Sequence, residues 1–195
     1  MARAADVPSW SLDTAWVREL LATLDERLQR RGVAASVYVV GGVAVALQAQ
    51  PRRLTLDLDA IASNPAVLDE AEAMAAEEGL PPGWLNGAAQ PWLPPRPPET
   101  RTERSAPGLD VHLAPPEHLL AMKIIAFRDR DVADIKDLAR VLHLDDASPE
   151  DLRDLVAAVY ATAGALTTAI GGPDDDADEL LLRCERVARL LRTSR

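Results

Sequence analysis

Cysteine is nearly missing from the 195 residues, and the single Cys184 has neither a disulfide partner nor metal-ligand company, which excludes a disulfide scaffold and a thiolate metal centre. Its expected role is packing in the last helix. Lysine is almost as scarce, since Lys123 and Lys136 are the only lysines among 21 basic residues. No run of 18 apolar residues occurs, so a membrane-spanning helix is not expected. The first thirteen residues lack the apolar centre of a secretory signal, and a cytoplasmic location without membrane association is the expectation. Excess positive charge is absent too: a net charge of −10 argues against broad, field-driven binding to nucleic acid. The balance is uneven, because residues 96–144 carry 8 basic and 8 acidic groups while the flanks hold the acidic surplus. An anionic substrate would sit best near that neutral block and Arg52 and Arg53.

The chain is long enough for one domain with a sizeable core and an appended helical part. We expect residues 1–144 to form the main domain and residues 145–195 a helical extension packed on the same unit. Residues 36–63 organise the rest. Val37, Tyr38, Val39 and Val40 are β-branched or aromatic and stop at Gly41 and Gly42, as a buried strand does when it breaks into a turn. An apolar helical run follows, closed by Pro51. Residues 54–61 then alternate, with Leu54, Leu56, Leu58 and Ala60 on one face and Thr55, Asp57, Asp59 and Ile61 on the other.

Two carboxylates two residues apart on one strand face sit roughly 6.5–7 Å apart at Cα, close enough to share a divalent cation. Without a cation they repel. Oxygen ligands suit Mg²⁺ (or Mn²⁺), which takes one or two carboxylates and completes its shell with water and substrate phosphates. Backbone N–H groups at a glycine turn opening a helix can cradle a phosphate, and Arg53 adds a cation nearby. Asp57 and Asp59 are therefore the candidate metal ligands, and Gly41, Gly42 and Arg53 the candidate phosphate ligands.

A Gly-Gly turn followed by Arg53, Thr55, Asp57 and Asp59 resembles the signature of polymerase-β-type nucleotidyltransferases, and in particular the small AbiE-type and MenT-type toxins. That resemblance implies an α/β fold in which a small mixed sheet is flanked by helices, with a helical C-terminal part. It implies transfer of an NMP from an NTP to an acceptor hydroxyl, with the tRNA 3′ end as the suggested acceptor and a cognate antitoxin as partner. It also marks Thr55 as a possible regulatory phosphosite. Two further stretches carry the likeness: a Trp-Leu-Asn at 84–86, and residues 123–135, where Lys123 is followed by Arg128, Asp129, Arg130, Asp131, Asp134 and Ile135. By resemblance, Lys123 addresses the triphosphate, and Asp134 positions the acceptor hydroxyl, the metal or Lys123.

Geometry limits that assignment. On one straight helix Lys123 and Asp134 would lie about 16 Å apart along the axis, too far to serve one site. Both can serve it only if the helix breaks near residues 128–131 and restarts there, with Asp131 as its expected N-cap and Asp134 as the capping-box partner.

The remaining chain reads as scaffold. Residues 12–31 form an amphipathic helix capped by Ser11, with Trp16, Leu20, Leu24 and Leu28 on its apolar face. A helix at 65–79 ends at Gly79, with Val67, Leu68, Ala71, Met74 and Ala75 on its apolar side, and Trp84 then anchors a turn. The proline-rich residues 88–108, with Arg96, Arg101 and Arg104, are expected to be a loop. Residues 109–113 alternate as a strand on which Asp110 is a weak candidate for a third carboxylate. Ser148, Pro149 and two acids begin a helix expected to reach about residue 167, and a last helix begins at Asp176 or Asp178. Two alternatives remain open: transfer of an NMP to a protein hydroxyl, and a non-catalytic binding module of the same fold.

Overall fold

The computed structural model describes residues 11–49, 55–101, 104–161, 163–170 and 176–193. The N-terminal helix α1 is Thr14–Arg30, capped not by Ser11 but by Asp13, whose carboxylate accepts from the Trp16 N–H at 2.8 Å. Strand β1, Ala34–Val39, follows, and then helix α2, Gly41–Gln48. Strand β2 is Leu58–Ala62, shorter than the alternating pattern at 54–61 suggests. Its first half is diverted: Thr55 forms an isolated bridge with Leu12, and its hydroxyl donates to the Asp57 carbonyl at 2.6 Å. Leu56 is consequently 54% exposed, whereas Leu58 and Ala60 are buried as the alternation requires.

Helix α3, Ala66–Glu78, ends at Gly79 in the left-handed conformation, with Leu68 partly exposed and Val67, Ala71, Met74 and Ala75 buried. The segment 84–86 is more than a turn. It contains the short strand β3, Leu85–Asn86, while the Trp84 indole is buried and donates to the Ala71 carbonyl of α3 at 2.9 Å. The proline-rich stretch holds two short 3₁₀ turns, Gln90–Trp92 and Pro98–Arg101. It is tied down at Trp92, whose carbonyl accepts from the Tyr160 hydroxyl at 2.8 Å. Strand β4, Gly108–Leu113, leads into α4, Pro116–Ala126.

A break follows. Phe127 is left-handed (φ +34°), Asp129–Asp131 make a single 3₁₀ turn, and α5 runs Val132–Val141. Helix α6, Pro149–Tyr160, begins with a full capping box between Ser148 and Asp151. It stops short of residue 167 because Ala161 turns left-handed (φ +54°), and a separate α7, Ala163–Ile170, succeeds it. Helix α8 is Asp176–Arg192; it buries Cys184 completely, and burial pushes that thiol up to about 11. No helix among the described residues is long and apolar enough to cross a membrane.

The four strands form one mixed sheet in the order β3-β2-β1-β4. β1 runs antiparallel to β2 and parallel to β4, and β2 is parallel to β3. The register aligns Tyr38 with Ile61 on one side and His112 on the other, so by alternation these three and Asp59 share a face. Val37, Val39, Leu58 and Ala60 fill the opposite face, all buried. Helices α1 and α3 pack against the sheet and are clamped together by Arg27, which pairs with Glu70 at 2.6 Å and Glu77 at 2.7 Å. Helices α6 and α8 pack on α4 and α7 packs on both of them, so the sheet, α4 and the C-terminal helices share one core.

Candidate active site

The β1–β2 ladder decides where the glycine corner falls. The Val40 N–H donates to the Asp59 carbonyl at 2.9 Å, and the very next residue, Gly41, swings to φ +67° and opens α2. A Cβ at position 41 would stand 2.7 Å from Asp59 Oδ2, so only glycine fits the conformation and the space. Val40 provides no side-chain cap for α2. The first N–H groups of that helix have no intrahelical acceptor, and they open beside the Asp59 carboxylate.

Asp57 lies just ahead of β2 and is exposed; its Oδ2 receives a long hydrogen bond from Asn86 Nδ2 at 3.4 Å. Asn86 is held opposite Asp59 by the β2–β3 register, and its amide oxygen accepts from the Ala88 N–H at 2.9 Å. Asp59 is partly buried. Burial raises its carboxyl above the ordinary carboxylate range, the Asp57 charge raises it further, and Lys123, Arg130 and Arg128 pull in the opposite direction. A partly buried carboxylate with a second one beside it forms a site with an unmet need for positive charge.

The expected break in the 116–141 helix is present, and it brings the distant pair together. Lys123 Nζ lies 2.5 Å from Asp131 Oδ1 and 2.7 Å from Asp134 Oδ2. All three groups are largely withdrawn from solvent, with side-chain exposures of 12%, 5% and 0%. Asp131 stands at the N-cap position of α5 but makes no capping hydrogen bond, because its carboxylate is turned to the ammonium instead. Helix α8 seals the end of α4 from the other side, where an Arg183 N–H donates to the Ile125 carbonyl.

Other candidates land elsewhere. Arg53 lies outside the described residues, so its place at the corner is not on view. Thr55 is near the corner, about 4.0 Å from where a Gly42 Cβ would be, but on the Leu12 bridge rather than on β2. Asp110 is level with Ser36, four residues along β1 from Val40 and two strands from Asp59, which puts the two carboxylates roughly 16 Å apart. Its carboxylate is paired with Arg104 at 2.9 Å, so it is no third carboxylate of this site. The sequence marks Asn86, Arg128 and Arg130 only as parts of the motif likeness and assigns them no role. The signal for the arginines was present in the motif, where two cations stand within three residues of the helix break.

A mixed four-stranded sheet flanked by helices, with Asp59 against a glycine corner that opens a helix, is compatible with a nucleotidyltransferase fold. Residues 17–156 match the family described as nucleotidyltransferase of unknown function (DUF6036), and the chain belongs to that family. No curated protein and no solved structure matches the chain.

Proposed function

We propose that this protein transfers a nucleoside monophosphate from an NTP to an acceptor hydroxyl with the help of Mg²⁺. The observation that carries the reading is the contact between Gly41 and Asp59, which sets a paired carboxylate site against the uncapped start of α2. Among the described residues no group of three or more metal-binding side chains gathers. Two carboxylates are nonetheless the protein's usual share of a Mg²⁺ shell that substrate phosphates complete. When bound there, the ion would favour attack by the acceptor oxygen and stabilise the departing pyrophosphate.

The roles of the chain's own residues follow from their places. Asp57 and Asp59 hold the cation, with Asn86 steadying Asp57. The Gly41 and Gly42 N–H groups take phosphate oxygens, with Arg53 and Lys123 as supporting cations. Asp134, against Lys123, keeps that ammonium in register. The acceptor hydroxyl gives up its proton to a carboxylate of the site or to water as its oxygen bonds to the α-phosphorus and the bond to the β-phosphate oxygen breaks, releasing pyrophosphate.

The motif likeness at 53–59 and 123–135 favours the tRNA 3′ end as acceptor, and growth arrest restrained by an antitoxin as the biological setting. The test uses each of four α-labelled NTPs, with total tRNA in one reaction and cell protein in another, and an Asp59→Ala control. Label in tRNA, lost in the control by about 100-fold or more, is the expected result. Label in protein alone would replace the acceptor, and label in neither would leave a binding module. Thr55 is the proposed phosphosite of the antitoxin. A phosphate there would add about −1.5 to −2 charge beside Asp57 and compete with the triphosphate. Mass spectrometry after co-expression should find Thr55 modified; an unmodified Thr55 removes it from the scheme.

A further inference from the structure

We propose that Arg128 and Arg130 grip the β- and γ-phosphates of the incoming nucleotide, and that Lys123 with Asp131 and Asp134 fixes the turn that carries them. The inference rests on the nucleotidyltransferase reading above and adds two residues to it.

The turn is a built feature. After Ala126 the chain goes left-handed at Phe127, Arg128 is extended, and the Asp131 N–H closes the 3₁₀ turn on the Arg128 carbonyl at 2.8 Å. A bulky residue at positive φ is unfavourable and persists only where its surroundings dictate it. Here the surroundings are the Lys123 bridge to both Asp131 and Asp134, which ties the last turn of α4 to the first turn of α5. Helix α2 begins at Gly41, against Asp59, and packs on both of those helices, so α4 and α5 flank the helix that opens at the carboxylate site.

Charge then separates the cations. Lys123 is matched twice over by its two carboxylates. Together with Asp57 and Asp59 the five groups carry three negative charges in excess, a poor setting for a triphosphate even with a metal present. Arg104 is committed to Asp110, and Arg96 sits over the Tyr38 ring at 6.0 Å. Arg128 and Arg130 are exposed, make no ion pair with any described residue, and are near enough for their charge to be felt at Asp59. A planar guanidinium pairs with phosphate oxygens in a two-pronged geometry that an ammonium does not match.

The test is calorimetric titration of the full chain, in Mg²⁺ buffer, with a non-hydrolysable NTP analogue of each base and in parallel with the corresponding NMP. Arg128→Ala/Arg130→Ala should weaken the NTP analogue by about 10- to 100-fold per arginine while leaving NMP affinity near wild type. Arg128→Lys/Arg130→Lys should fall between, with all melting temperatures unchanged, as both side chains are exposed. Unchanged NTP affinity in the alanine variant, or an equal loss for NTP and NMP, would each overturn the inference while the wild type still binds nucleotide. A wild-type protein that binds no NTP with Mg²⁺ would instead overturn the nucleotidyltransferase reading, and this inference with it.

Discussion

Asp59 bears the conflict on which the site depends. Burial raises its carboxyl, the neighbouring Asp57 raises it more, and three nearby cations offset this only in part. A carboxyl raised in the folded state contributes its full stability below the unfolded value, and that contribution is lost as pH rises through the folded value. The ionised Asp59 therefore works against the metal-free fold at neutral pH. Asp59→Asn should melt at a higher temperature than wild type in metal-free buffer at pH 7, and the gap should close as the pH falls below the ordinary aspartate range. Added Mg²⁺ should raise the melting temperature of wild type and leave Asp59→Asn unmoved. A variant less stable than wild type in metal-free neutral buffer would show that Asp59 is a structural group. Gly41 is the counterpart on the backbone side, since any side chain there would have to displace the carboxylate it packs on.

The element that decides the site is the break between α4 and α5. A continuous helix would strand Lys123 and Asp134 about three turns apart, whereas the break folds them to 2.7 Å. Removing Lys123 leaves two buried carboxylates facing each other, and breaking a buried pair in this way costs about 3–5 kcal/mol. Lys123→Ala should lose stability in that range by denaturant melts, with part of it recovered in Lys123→Ala/Asp134→Asn. A loss under about 1 kcal/mol would mean that the bridge does not hold the turn. The break was legible because two residues required by one site cannot share a straight helix. The carboxylate strand was legible from its alternation at Leu58, Asp59 and Ala60. Its first half misled, because the hydrogen bonds of Thr55 go to Leu12, and a bridge to the start of α1 leaves no mark in local periodicity. Asn86 and the two arginines reach the site through strand pairing and helix crossing, which short-range patterns do not encode.

At the scale of the whole molecule, the candidate site draws its carboxylate pair from the acidic first part of the chain and its lysine and arginines from the charge-balanced residues 96–144. The sheet sets Asp59 against the glycine corner, with Asp57 just ahead of the same strand, and the C-terminal helices back the helix that supplies Lys123, with Arg183 sealing its end. The family match spans the sheet, the break and most of α6, in keeping with one core. The most direct measurement supplies the wild-type protein with Mg²⁺, acceptor RNA and an NTP labelled either at the α- or at the γ-phosphorus. Label should enter the acceptor from the α position alone, with unlabelled acceptor and labelled pyrophosphate from the γ position, and neither should occur without the metal. Transfer of the γ label, or α-label transfer that persists unchanged in Asp59→Ala, would contradict a nucleotidyl transfer run by this carboxylate pair.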